Sequence, residues 1–148
     1  MKVELITVGK AKSPFLEAGA HYLKMLKALT PVEVTEVRDD AALIRIVQAA
    51  RSGGGSRPDA GTVVTLEPGG REMTSERWAE WLGDRRQEGK RLTFLIGGPE
   101  GLPFEVTSLA DQRLSLGPQT MAHQLARIVL LEQLFRASKI LAGQKYHL

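Results

Sequence analysis

Three short segments of this chain carry the residues best suited to holding a small molecule. They are Leu66-Glu67-Pro68-Gly69-Gly70, Gly97-Gly98-Pro99-Glu100-Gly101 and Leu116-Gly117-Pro118-Gln119-Thr120-Met121. Each follows a run that reads as a β-strand, and in open parallel sheets ligands bind beyond the carboxyl ends of strands. Glycine at such places lets a ligand approach backbone amides and carbonyls. Three such loops have the reach to wrap a nucleoside, although each alone reads equally well as an ordinary turn before a helix. Other chemistries lack their residues. The absence of cysteine removes a thiolate nucleophile, a disulfide framework and any sulfur-ligated metal. His21, His123 and His147 show none of the spacings that build a metal site, so no metal is expected. There is no Gly-x-Ser-x-Gly elbow for acyl transfer. The glycines at 53–55 lack the Lys-Ser/Thr of a phosphate loop, and those at 97–101 do not have the dinucleotide-binding intervals.

The elements that must position these loops are legible from periodicity. Lys2 to Gly9 alternates apolar and polar residues and ends in glycine, as a strand does. Ser13-Pro14 reads as a helix cap followed by proline in the first turn, before Phe15, Leu16, Tyr22, Leu23 and Leu26 at helical spacing. Val32, Val34 and Val37 make a second strand. Asp39-Asp40 then caps a helix with Leu43, Ile46, Val47 and Ala50 on one face. Arg51 to Gly61 is a glycine-rich surface loop. Thr62 to Leu66 is a strand ended by a turn at Glu67–Gly70, and Thr74 or Ser75 starts a helix bearing Trp78, Trp81 and Leu82. Arg91 to Ile96 is a fourth strand, Phe104 to Ala110 a short helix, and Arg113 to Leu116 a fifth strand. A long helix from Thr120 to about Leu141 ends at Gly143. Strands alternate with helices throughout, which predicts an α/β fold with a mostly parallel sheet in one domain spanning 1–148.

At 148 residues the chain is long enough to bury about two-thirds of its unfolded surface. No stretch is apolar and long enough to span a membrane, and Glu4 interrupts what would be the apolar part of a signal peptide, so a cytoplasmic protein is expected. Twenty basic against 17 acidic residues is too small an excess to name a partner. The last helix carries two apolar stripes, Leu125, Ile128 and Val129 in one and Leu130, Leu134, Ala137 and Leu141 in the other. One sheet face cannot cover both. Either the helix is central within the monomer or, as the pattern favours, it forms a homodimer seam.

The motifs together resemble a known family. Phe94 to Leu102, Leu114 to Leu116, Thr120-Met121-Ala122-His123 through Arg127, Leu131 to Ala137 and Tyr146-His147 are similar, in order and spacing, to the RlmH family of SPOUT-class methyltransferases. Lys2 to Lys10 and Val64 to Glu67 match as well, so the resemblance spans essentially the whole chain. It implies a SPOUT-like sheet with helices on both faces, a C-terminal trefoil knot, a homodimer, and S-adenosyl-L-methionine as methyl donor. It further implies methylation at N3 of a pseudouridine in a stem-loop of 23S rRNA within the assembled ribosome. The alternatives are a catalytically silent ribosome- or RNA-binding protein of this fold, or a methyltransferase acting on another RNA.

Carried onto this chain, the resemblance assigns cofactor binding to Leu66, Gly97, Leu116, Gly117, Pro118, Gln119, Thr120 and Met121. Leu66 and Leu116 are expected to pack on the adenine, and Gly97 to be small so that the chain passes close to the cofactor. The resemblance assigns catalytic roles to Tyr146 and His147, on a tail that closes over the partner subunit's site. The chain departs from the family in ending at Leu148, where relatives usually carry a basic residue, and in having Gly117 for a common serine and Phe135 for tyrosine. His123 and Arg127 lie one helical turn apart and are expected to share a face toward cofactor or RNA, or else to form a cap contact and a salt bridge. Glu132 and Arg136 read as a structural i, i+4 pair. RNA contacts are expected among Lys10, Lys12, Arg71 and the Arg85-Arg86 and Lys90-Arg91 cluster.

Overall fold

A computed structural model describes residues 1–52 and 61–146. The expected glycine-rich loop lies largely outside the described residues, as do His147 and Leu148. The elements are β1 (Val3–Val8), α1 (Phe15–Leu26), β2 (Val32–Val37), α2 (Asp40–Ser52), β3 (Thr62–Glu72), α3 (Ser75–Glu88), β4 (Leu92–Ile96), α4 (Phe104–Thr107), β5 (Gln112–Ser115) and α5 (His123–Leu141). The strands form one sheet in the order β2-β1-β4-β3-β5, and every pair is parallel.

Side chains alternate across a strand, and the sheet uses this to fill two cores. Val3 and Leu5 of β1, Val64 of β3, and Leu92, Phe94 and Ile96 of β4 face Leu26 of α1, Trp78, Trp81 and Leu82 of α3, and Leu130, Leu131 and Leu134 of α5. Ile6, Val63 and Leu95 point to the other side, where Leu43 and Val47 of α2 and Val106 cover them. Trp78, Trp81 and Phe94 cluster with ring centroids 5.7 to 6.4 Å apart. The long helix α5 packs against both α1 and α3. Its Leu130, Leu134 and Ala137 are buried, while Leu125, Ile140 and Leu141 are 43%, 42% and 38% exposed. One stripe is therefore covered within the monomer as far as Ala137, while Leu141 at its end and Leu125 of the other stripe face outward.

Side-chain caps explain the starts of α2 and α3, whereas α1, α4 and α5 have none. Asp39 Oδ1 accepts from the Ala42 amide at 2.9 Å, and Thr74 Oγ1 accepts from the Arg77 amide at 3.2 Å, as N-caps do. Ser13 does not cap α1; its hydroxyl donates to Glu17 Oε1 at 2.5 Å instead. The expected turn at Glu67–Gly70 is an excursion inside β3. Pairing with β5 breaks after Leu66 and resumes at Arg71 opposite Leu114. Finally, α5 begins at His123, three residues later than its periodicity suggests. Ala122 has extended geometry, with ψ of 133°, so residues 117–122 remain loop.

Candidate functional site

The three glycine-bearing loops converge at the carboxyl ends of β3, β4 and β5 around a cleft of about 380 Å³. Leu66, Glu67 and Pro68 contribute one wall, Gly97 to Leu102 a second, and Leu116, Gly117, Gln119, Thr120 and Met121 a third. His123 and Ala126 from the start of α5 close the remaining side. Of the residues expected to hold a cofactor, all but Pro118 line this cleft.

Gly97 has a reason to be glycine within the loop itself. A Cβ there would sit 2.4 Å from the carbonyl carbon of Gly101 and 2.5 Å from its oxygen. The β4 loop folds back on itself, with the Gly101 amide donating to Gly98 O at 3.0 Å, and a side chain at 97 would prop it open. Gly117 is needed for its backbone, since its φ of +140° is a conformation L side chains rarely adopt. The serine common at this position would gain a hydroxyl here only at the cost of backbone strain.

Two polar groups that sequence reasoning missed fasten these loops. Ser115, 2% exposed, shares its hydroxyl proton between Pro68 O at 3.1 Å and Gly117 O at 2.7 Å, and accepts from the Gly117 amide at 3.0 Å. It ties the β3 loop to the β5 loop. Glu67 is held in a fork by Arg113, whose Nε and Nη2 donate at 2.8 and 2.7 Å, and it also accepts from Thr65 Oγ1 at 2.6 Å. The Arg113 hydrogen bond holds the Glu67 carboxyl below the usual carboxylate range; burial opposes, and the Thr65 hydroxyl and the Arg113 charge assist. The cleft therefore has an ionised carboxylate, paired with Arg113, on its wall. The only early signal was a serine and an arginine in a strand otherwise filled with leucine.

His123 and Arg127 do not share a role. His123 lines the cleft, whereas Arg127 is buried beneath the helix start. Its Nη1 donates to Glu36 Oε2 at 2.7 Å, and its Nη2 to Thr7 Oγ1 at 2.7 Å and Gly9 O at 3.2 Å. Burial alone would raise the Glu36 pKa, but the Arg127 hydrogen bond, the Ala11 amide and nearby positive charge outweigh it and leave the group lowered. Arg127 thus pins α5 to the ends of β1 and β2. Gln124 continues the clamp, accepting from the Lys12 amide at 2.9 Å and donating to Lys10 O at 3.2 Å. The exposed Lys10 and Lys12 are held on an anchored loop as a result.

Tyr146 lies away from this cleft. Its ring meets Phe135 edge-on with centroids 5.0 Å apart, and the Arg136 guanidinium sits 4.5 Å above it. Burial, then the Glu132 charge and Tyr22, push its phenol above the ordinary range, with Arg136 opposing. Glu132 and Arg136 form the expected pair at 2.5 Å. The basic cluster is mostly committed: Arg85 pairs with Glu88 at 3.0 Å, Arg91 lies 3.6 Å from Glu4, and Arg86 donates to Leu29 O at 3.3 Å and to Thr30. Lys90 is exposed. Among the described residues no helix is long and apolar enough to cross a membrane, and no group of three acidic or histidine side chains could hold a metal ion.

Comparison with known proteins places this cleft in context. A family model described as "Predicted SPOUT methyltransferase" matches residues 1–147. Proteins named ribosomal RNA large subunit methyltransferase H are similar along their whole length. The one from Stenotrophomonas maltophilia (strain R551-3) is 39% identical over 154 residues, and that from Carboxydothermus hydrogenoformans 37% over 158, each covering 99% of both chains. Among solved structures, a probable methylase family protein from Haemophilus influenzae aligns over 99% of this chain and 70% of its own, at 13% identity and a TM-score of 0.61. The SpoU methyltransferase AviRb from Streptomyces viridochromogenes, solved with AdoMet, aligns over 97% of this chain and 59% of its own, at 14% identity and a TM-score of 0.53.

Proposed function

Because the chain belongs to the RlmH family of SPOUT methyltransferases, we propose that it transfers a methyl group from S-adenosyl-L-methionine to large-subunit ribosomal RNA. The observation that carries this reading is the cleft itself. Its volume of about 380 Å³ is in the range of small-molecule sites. Its walls combine apolar side chains for a flat ring with glycine backbone for polar edges, which suits an adenine nucleoside. Leu66 and Leu116 are the residues to pack on the adenine, with Gly97, Gly117, Pro118, Gln119, Thr120 and Met121 supplying the loop backbone around it. Glu67, kept ionised by Arg113, complements the positive sulfonium.

We take the acceptor to be N3 of a pseudouridine in a 23S rRNA stem-loop within the assembled ribosome, which makes the site of action cytoplasmic. When bound, the cofactor supplies an electrophilic methyl group for in-line displacement by the acceptor nitrogen, with the carbon–sulfur electron pair leaving on sulfur. The chain's task is then to position the base and either to accept the N3 proton or to stabilise the anion that its loss leaves. A carboxylate with a lowered pKa is a weak base, so Glu67 does not suit proton acceptance. Tyr146 and His147 are our candidates, acting from the partner subunit of a homodimer whose tail is placed differently from the packing described above. Leu16 of α1 and Leu125 of α5, 53% and 43% exposed, are apolar surface that such a dimer would cover. Family membership also leads us to expect a trefoil knot around the cleft.

The test is transfer of labelled methyl from S-adenosylmethionine to ribosomes from a strain lacking the gene. Thr120→Trp fills the cleft from an exposed loop position and serves as the blocked control. Label in large-subunit rRNA that vanishes in the variant is the expected result. Cofactor binding without label would instead make the protein a silent RNA binder, and label in tRNA alone would overturn the ribosomal substrate.

A further inference from the structure

A second hollow, of about 420 Å³, opens at the sheet edge between β5 and α3. Its wall holds Arg71 from the end of β3, Arg77 and Arg85 from α3, and Arg113 from β5, against Glu80 and Asp84. Four arginines face two carboxylates on that wall, while Glu67 and Glu88 pair with Arg113 and Arg85 from outside it. Arg71, Arg77 and Arg113 keep donors free. Arg71 is exposed and makes no ion pair among the described residues. Arg77 pairs with Glu80 across an exposed helix turn, an interaction worth little and readily exchanged. Arg113 spends Nε and Nη2 on Glu67, which leaves the second nitrogen of its fork. Arg85 is committed to Glu88 at 3.0 Å and sits 5.3 Å from the Trp81 ring centroid, so it shapes the wall rather than offering a donor.

We propose that this recess binds the phosphodiester backbone of the RNA whose base enters the cleft, an assignment that rests on the methyltransferase reading above. Planar guanidinium groups match phosphate oxygens two at a time, and the exposed Arg71, Arg77 and Arg113 present three of them to solvent on one concave wall. Trp81 is 5% exposed and offers no face for stacking a base, so the recess reads backbone rather than sequence. The two hollows also adjoin. Glu67 lines the cleft, Arg113 lines the recess, and the fork between them spans the β3 excursion. A strand leaving the cleft meets the arginines next. Arg45, exposed on α2, lies on the other side of the sheet from α3 and serves as the distant cation.

The experiment measures binding of a synthetic 23S rRNA hairpin to the full chain across a salt series, by fluorescence anisotropy. Arg71→Ala with Arg77→Ala, both exposed positions, should reduce the slope of log K against log salt by about 1 per arginine. The Arg→Lys pair should restore most of it, and Arg45→Ala should leave it unchanged. Cofactor affinity, read by calorimetry, should not move. An unchanged slope in the alanine pair, or an equal fall in Arg45→Ala, overturns the assignment. So does a loss confined to whole ribosomal subunits with the hairpin unaffected, which would give the recess to an acidic protein surface. Methyl transfer is scored separately: no transfer to ribosomes with recess-dependent hairpin binding refutes the methyltransferase reading and keeps the recess, and normal transfer with an unchanged slope does the reverse.

Discussion

The cleft and the arginine recess adjoin across one ion pair, yet they are built in opposite ways. The cleft is made by backbone: Gly97 lets the β4 loop close on itself, Gly117 takes a φ of +140°, and Ser115 fastens one loop to the next. The recess is made by long side chains from three separate elements around a buried tryptophan. A backbone-made hollow has one shape and is destroyed by a single added carbon, because the loop has nowhere to yield. A side-chain-made hollow loses function by increments, one charge at a time. Shape thus resides in the first and attraction in the second.

The sharpest way to break that contrast is Gly97→Ala. The new methyl group would have to displace the Gly101 backbone from 2.4 Å, and overpacking of this kind costs about 1–3 kcal/mol. Misplacement of the loop by about an ångström should lower methyl transfer by about 10²-fold, together with cofactor affinity, while the salt slope of hairpin binding stays that of the parent. If both hollows fail together in a chain that still melts cooperatively, they are one unit and the contrast is wrong.

A smaller effect is expected at Tyr146, which asks whether a cleft made largely of backbone must borrow its chemistry. Tyr146→Phe keeps the packing on Phe135 and under Arg136 and removes only the hydroxyl. Cofactor affinity should be unaltered, because the ring does not line the cleft of its own chain, and kcat should fall by up to about 10²-fold if the phenol donates to the anion left when N3 loses its proton. An unchanged kcat would return that task to groups already at the cleft, of which His123 is one. Tyr146→Ala should cost about 1 kcal/mol of stability through the lost ring contacts.

The contrast also explains what the sequence made legible. Glycines cluster in sequence because each loop needs them locally, so the cleft at the ends of β3, β4 and β5 is traceable from three short motifs. Strand alternation likewise marks the two cores through neighbours such as Leu5 and Ile6. The recess is invisible along the chain, since Arg71, Arg77, Arg85 and Arg113 come together only through sheet order and α3 packing. Arg85 and Arg91 read as part of a basic cluster, yet they face different partners. Arg127 shows the same limit: its spacing from His123 places both on one face, but β1 and β2 decide that it is buried with Glu36. Helix starts fail where loop geometry overrides periodicity, as at residues 120–122. The Glu67–Gly70 excursion reads as a strand end in the sequence because a register shift leaves no mark on hydropathy.

The smallest expected effect lies on the bond that joins the two hollows. Glu67 has its pKa lowered chiefly by the Arg113 hydrogen bond, so folding and ionisation are linked there. A lowered carboxylate contributes stability that is fully present above its unfolded value near 4.5 and is lost as pH falls through the folded value. Arg113→Gln removes the main cause of the lowering. The variant should therefore be slightly less stable than the parent at neutral pH, and the two should converge as pH falls below the ordinary carboxylate range, in urea titrations at three pH values. Cofactor affinity should follow the same pattern, with the variant weakening at a higher pH than the parent because its Glu67 protonates sooner. An offset in stability that stays constant across pH would mean Arg113 acts by packing alone. In that case the cleft and the recess are neighbours without an electrostatic link.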